Sequence, residues 1–88
     1  MGDLSQEIRD EMVSYIVENY ISSYNFKTMP LDESLVELGV LDSYGVIELV
    51  TFIESNWDVV IKDSEITKEK FGSINKMKDL VILKLSDK

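Results

Sequence analysis

The chain has 88 residues, 44% of them hydrophobic and 9% aromatic, with one proline and neither cysteine nor histidine. At this length one domain is the upper bound, burying roughly 60–65% of its unfolded surface, and little is left to wall a deep catalytic pocket. Nine basic against seventeen acidic residues leave a net charge of −8, which repels phosphate backbones and anionic membranes and favours basic protein partners.

The hydrophobic content argues against long disorder. Without cysteine, disulfide frameworks, thiolate metal sites and cysteine catalysis are removed, which fits a reducing cytoplasm. No apolar run approaches the ~20 residues of a membrane span. The segment Met1-Gly2-Asp3-Leu4-Ser5-Gln6-Glu7 lacks the basic start and apolar core of a signal peptide. A cytoplasmic monomer is expected, with neither nucleic acid nor membrane insertion among its interactions.

Most apolar residues recur at three and four rather than at two, so helices are predicted and strand signals are weak. The first helix is predicted to start near Asp3 or Ser5 and to run to about Ser22. Its apolar stripe is Ile8, Met12, Ile16, Val17 and Tyr20, and Asp3 with Gln6 could form a capping box. Residues 23–42 read as a long loop anchored by Leu31, Leu35 and Leu38. A loop of this length calls for a short turn of its own, which Asp32-Glu33-Ser34-Leu35 could supply. A second helix is predicted from about Ser43 to Asn56. Val59-Val60-Ile61 is the one strand-like stretch and otherwise a buried connector. A short third helix is predicted around 63–70, and a fourth from a Ser73 cap to about Leu85.

On a helical wheel the second helix has two faces. Val46, Leu49, Val50, Ile53 and Trp57 cluster as the core side. Opposite lie Tyr44, Ile47, Glu48, Thr51, Glu54 and Ser55, apolar knobs mixed with carboxylates. A merely solvated face has no need of Tyr44 and Ile47, although single exposed apolar residues are common. The charge is distributed unevenly too. Residues 28–61 carry seven acids and no lysine or arginine, whereas residues 62–88 carry seven lysines against five acids.

Several chemistries fail on residue type. Ser43-x-Gly45 has Leu41 where a nucleophile elbow needs glycine, and there is no histidine for a triad. The calcium-loop series and the phosphate-binding P-loop are both missing. Asp42-Ser43 remains. Asp and Ser ahead of a helix most often serve only as caps. A phosphodiester on Ser43 would nevertheless find free amides and a favourable helix dipole there. Asp42 could cap while its carboxylate supports a metal ion or an incoming basic enzyme, and Gly45 would keep the first turn uncluttered for a partner's approach. Cap and handle are compatible roles.

Across essentially its whole length the chain resembles the phosphopantetheine-binding carrier proteins. A long first helix and long loop lead into Leu35-Val36-Glu37-Leu38-Gly39-Val40-Leu41-Asp42-Ser43. Glu48-Leu49-Val50 follows, and Trp57 closes the helix after an acidic stretch. The resemblance implies an all-α four-helix bundle, with three longer helices and one short one. It also implies covalent 4′-phosphopantetheine on Ser43, taken from coenzyme A by a phosphopantetheinyl transferase. The protein would then be no enzyme but an acyl carrier, holding acyl or aminoacyl groups as thioesters for an activating ligase and downstream transfer enzymes. Asp42, Tyr44, Ile47, Glu48, Thr51 and Glu54 match the family's partner-facing positions, and no metal site is implied. Tyr44-Gly45 after the serine, and Leu41 before Asp42, look more like D-alanyl carriers and others charged by stand-alone ligases than like fatty-acid carriers. An unmodified acidic helical interaction module is the alternative.

Overall fold

A computed structural model describes residues 3–20 and 24–87, and among these every regular element is helical. Helix α1 spans Leu4–Asn19, α2 Ser43–Trp57, α3 Lys68–Phe71 and α4 Ile74–Ser86, with a single 3₁₀ turn at Asp63–Glu65. This is the expected bundle of three longer helices and one short one. α4 packs against α1, α2 and α3. The fully buried side chains come from all parts of the chain: Ile8, Met12 and Ile16 on α1, Leu35 in the long connection, Leu49 and Ile53 on α2, Ile74, Met77 and Val81 on α4. Each such Leu or Ile contributes roughly 1.5–3 kcal/mol relative to an exposed position. Tyr15 on α1 stacks on Phe52 of α2 with centroids 4.2 Å apart, and Phe52 meets Trp57 edge-on.

Several boundaries differ from expectation. α1 ends at Asn19 because Tyr20 leaves helical geometry (φ −130°, ψ 134°); the predicted end at Ser22 lies outside the described residues. Asp3 caps α1 by accepting from the Ser5 N–H at 2.9 Å rather than through a reciprocal pair with Gln6. The predicted third helix is split. A 3₁₀ turn ends at Glu65, and Thr67 then caps a new start by accepting from the Lys70 N–H through Oγ1. Val59 and Ile61 are buried and Val60 exposed, so that stretch is a connector and not a strand.

The long connection is held by Leu35, Met29, Val40 and Leu41, all buried. Leu38, predicted as an anchor, is exposed, and Leu31 is half-buried. The turn falls later than Asp32–Leu35. Leu38 N–H donates to Ser34 O, and the Leu35 carbonyl accepts from both Val40 and Leu41. Gly39 makes this reversal by adopting φ +78°, a region that costs a residue with a Cβ about 1–2 kcal/mol. The Leu-Gly of the motif thus has a local physical reason. The connection is tied to α4, since Asn75 donates from its backbone to Leu31 O and from its amide to Asp32 Oδ1 at 2.7 Å.

Candidate functional site

The reversal at Gly39 delivers the chain to Asp42, whose extended backbone (φ −104°, ψ −175°) lets its side chain turn back over the start of α2. Asp42 Oδ1 accepts from the Gly45 N–H at 2.7 Å, and Asp42 O accepts from the Val46 N–H at 3.0 Å. Ser43 follows as the first residue of α2 and is exposed. Neither its hydroxyl nor the amides of Ser43 and Tyr44 have a hydrogen-bond partner among the described residues. A helix start with open amides attracts anions.

Gly45 does something other than the sequence suggests. It is buried, and an added Cβ would lie 3.3 Å from both Leu41 Cδ2 and Tyr20 Cε1. Its bareness therefore serves the protein's own packing and does not clear a path for a partner. Tyr20, read in the sequence only as part of the core stripe, comes from the end of α1 to cover it. Its hydroxyl donates to Glu48 Oε1 at 2.7 Å. A small residue one turn into α2 and an aromatic just past α1 were the only hints, and neither names the other.

The remaining outer-face residues occupy three kinds of environment. Tyr44 and Ile47 are well exposed, 69% and 61%, and stand beside Ser43 as apolar knobs. Thr51 is exposed, but its hydroxyl donates inward to Ile47 O at 3.2 Å. Glu54 is half-buried and accepts from the Ile61 N–H through Oε2, fastening the connector after α2. On the core side Leu49, Val50 and Ile53 are buried, while Val46 and Trp57 are half-buried.

A half-open groove of about 290 Å³ lies between the long connection, the start of α2 and α3. Leu41 and Val46 line it from the site, Leu35 and Val36 from the connection, and Ile66 and Phe71 from the far wall. An exposed ion pair, Lys68 Nζ to Glu37 Oε1 at 2.8 Å, joins residues on two sides of it, and the Glu37 carboxylate raises the Lys68 ammonium's pKa. The walls are mostly apolar, with no dedicated polar cradle. Among the described residues no three acidic side chains gather in a way that could hold a metal ion, and no helix is long and apolar enough to cross a membrane.

What the arrangement offers is an exposed primary hydroxyl at a helix start, an aspartate cap beside it and two apolar knobs flanking it. No protein-family profile matches the chain. Curated relatives do. The D-alanyl carrier proteins of Streptococcus mutans and Streptococcus thermophilus are each 30% identical over 71 residues, covering 81% of this chain and 86% of theirs. The D-alanyl carrier protein of Streptococcus suis is 38% identical over 47 residues, 53% of this chain and 60% of its own. The chain belongs to the phosphopantetheine-binding carrier-protein family, alongside the D-alanyl carrier proteins.

Proposed function

We propose that this chain is a single-domain carrier whose Ser43 is esterified by 4′-phosphopantetheine, and that it presents acyl or aminoacyl groups, bound as thioesters, to successive enzymes. The observation that carries the reading is the exposed, unpartnered Ser43 hydroxyl at the first position of α2. Its open amides suit a phosphodiester, which the helix dipole favours. In the modification Ser43 Oγ attacks the β-phosphorus of coenzyme A, 3′,5′-adenosine bisphosphate leaves, and the transferase takes the serine proton. When bound, the arm supplies a thiol, which this cysteine-free chain lacks. The chain's own residues position and recognise.

Asp42 holds the turn from which the hydroxyl projects. Tyr44, Ile47, Glu48, Thr51 and Glu54 form the face presented to the transferase, to an activating ligase and to downstream acyl-transfer enzymes. The apolar groove beside Leu41 and Val46 offers the arm a resting surface. The relatives' name supports an aminoacyl cargo of the D-alanine kind. We place the protein in the cytoplasm as a monomer, where coenzyme A and the ligases are available. Incubation with coenzyme A and a phosphopantetheinyl transferase should raise the intact mass by one arm, and Ser43→Ala should abolish the increase. An unchanged wild-type mass would favour the unmodified interaction module.

A further inference from the structure

The first turn of α2 is gripped by a residue from another helix. Tyr20 ends α1 with extended backbone geometry, while its N–H still donates to Ile16 O at 3.0 Å. The ring lies against the bare Cα of Gly45 and meets Tyr15 edge-on, centroids 6.1 Å apart. Both its root and its ring are therefore held. At the tip, the hydroxyl donates to Glu48 Oε1 at 2.7 Å and lies 3.4 Å from Gly45 O. Burial first, and the Glu48 hydrogen bond second, push the phenol above its ordinary pKa, so it stays a protonated donor throughout the physiological range.

Glu48 itself is exposed, one turn beyond Ser43 on the outer face. A long carboxylate in that position normally loses rotamer freedom when a partner immobilises it. Here one oxygen is already engaged. The other, Oε2, has no partner among the described residues. The donor is neutral, so the full negative charge is retained for a partner.

We propose that Tyr20 is a positioning residue for docking: it holds Glu48 Oε1 so that Oε2 is presented, pre-ordered, to a lysine or arginine of the enzyme that acts on Ser43. This rests on the carrier reading of Ser43. Tyr20→Phe keeps the ring on Gly45 and removes only the donor. Arm loading by a phosphopantetheinyl transferase is measured against carrier concentration for wild type, Tyr20→Phe, Glu48→Ala and the double variant. In Tyr20→Phe the KM for the carrier rises about three- to tenfold, the cost of ordering one long side chain on docking, with kcat unchanged. In the Glu48→Ala background the same change has no further effect. An equal rise in both backgrounds, or a fall in kcat at constant KM, overturns the proposal, because the tyrosine would then act on the fold or on Ser43 directly.

A second measurement needs no transferase. NMR couplings of the Glu48 methylenes report one dominant rotamer in wild type and averaging in Tyr20→Phe. Identical populations in the two proteins overturn the positioning role. If wild type takes no arm while Glu48 still loses order in Tyr20→Phe, the carrier reading falls and the positioning of Glu48 by Tyr20 stands.

Discussion

The acids around Ser43 and the lysines of the C-terminal third are bonded in opposite ways. Asp42, Glu48 and Glu54 each accept a hydrogen bond from a neutral donor: the Gly45 N–H, the Tyr20 hydroxyl and the Ile61 N–H. None of the three meets a lysine or arginine among the described residues. Lys68, Lys78 and Lys84 instead pair with Glu37, Asp79 and Glu65, at 2.8, 3.5 and 2.7 Å. Neutral donors fix a carboxylate without cancelling its charge; lysines cancel it. The α2 face beside Ser43 is thus held in shape and left negative, while three of the seven C-terminal lysines pair with acids, Lys68 with one from the acidic stretch itself. The proposed docking of basic partners would draw on that asymmetry.

Charge reversal on either side should break different properties. Lys84→Glu would set two carboxylates together where both side chains are only 18% exposed. It should destabilise by about 2–3 kcal/mol, read by urea denaturation, with arm loading of the folded fraction unchanged. Glu48→Lys should do the converse, raising the transferase KM about tenfold at low salt, a difference that shrinks as ionic strength rises, while costing only the Tyr20 hydrogen bond, about 1 kcal/mol of stability. If both substitutions impair loading equally, the division between the two regions is wrong.

Smaller effects sharpen the same contrast. Asp42→Ala removes a neutral-donor cap and should cost about 1 kcal/mol of stability, visible as a lower urea midpoint, besides slowing loading at Ser43. Gly39→Ala should cost a similar ~1 kcal/mol, since its φ of +78° penalises a Cβ. The Lys84 ammonium, followed by the Lys62 N–H, holds the Glu65 carboxyl below the usual carboxylate range. The unfolded chain therefore takes up that proton first. The pair's contribution is complete above the ordinary value of about 4.3 and is lost as pH falls through the lower folded value. Lys84→Met should flatten the stability profile in that acid window and leave its slope near neutrality unaltered.

Helices α1, α2 and α4 were legible because their apolar residues keep a helical period and Asp3, Asp42 and Ser73 sit where caps are needed. The exposed helix-start position of Ser43 was legible for a related reason: the Leu-Gly reversal, the aspartate and the following amphipathic face lie within one short stretch. What escaped was set partly by contacts between distant segments and partly by local bonding that periodicity does not register. The inward aspect of Gly45 depends on Tyr20, 25 residues earlier. The split at 63–67 reflects Thr67 Oγ1 bonding a backbone amide, a local competition that periodicity does not register. Leu38 looked like an anchor by residue type, but the turn closed by Gly39 leaves it exposed while Val40 and Leu41 are buried. Glu54 shares the outer stripe with Glu48, yet the chain's return at Ile61 occupies one of its oxygens.

Residues 28–61 contain no lysine or arginine, so trypsin releases residues 28–62 as one fragment holding Ser34, Ser43 and Ser55. Fragmentation mass spectrometry of that peptide, from protein purified out of its native cells, tests the central claim most directly. The account predicts one phosphopantetheine mass, localised to Ser43. A bare Ser43, or the added mass on Ser34 or Ser55, would contradict it.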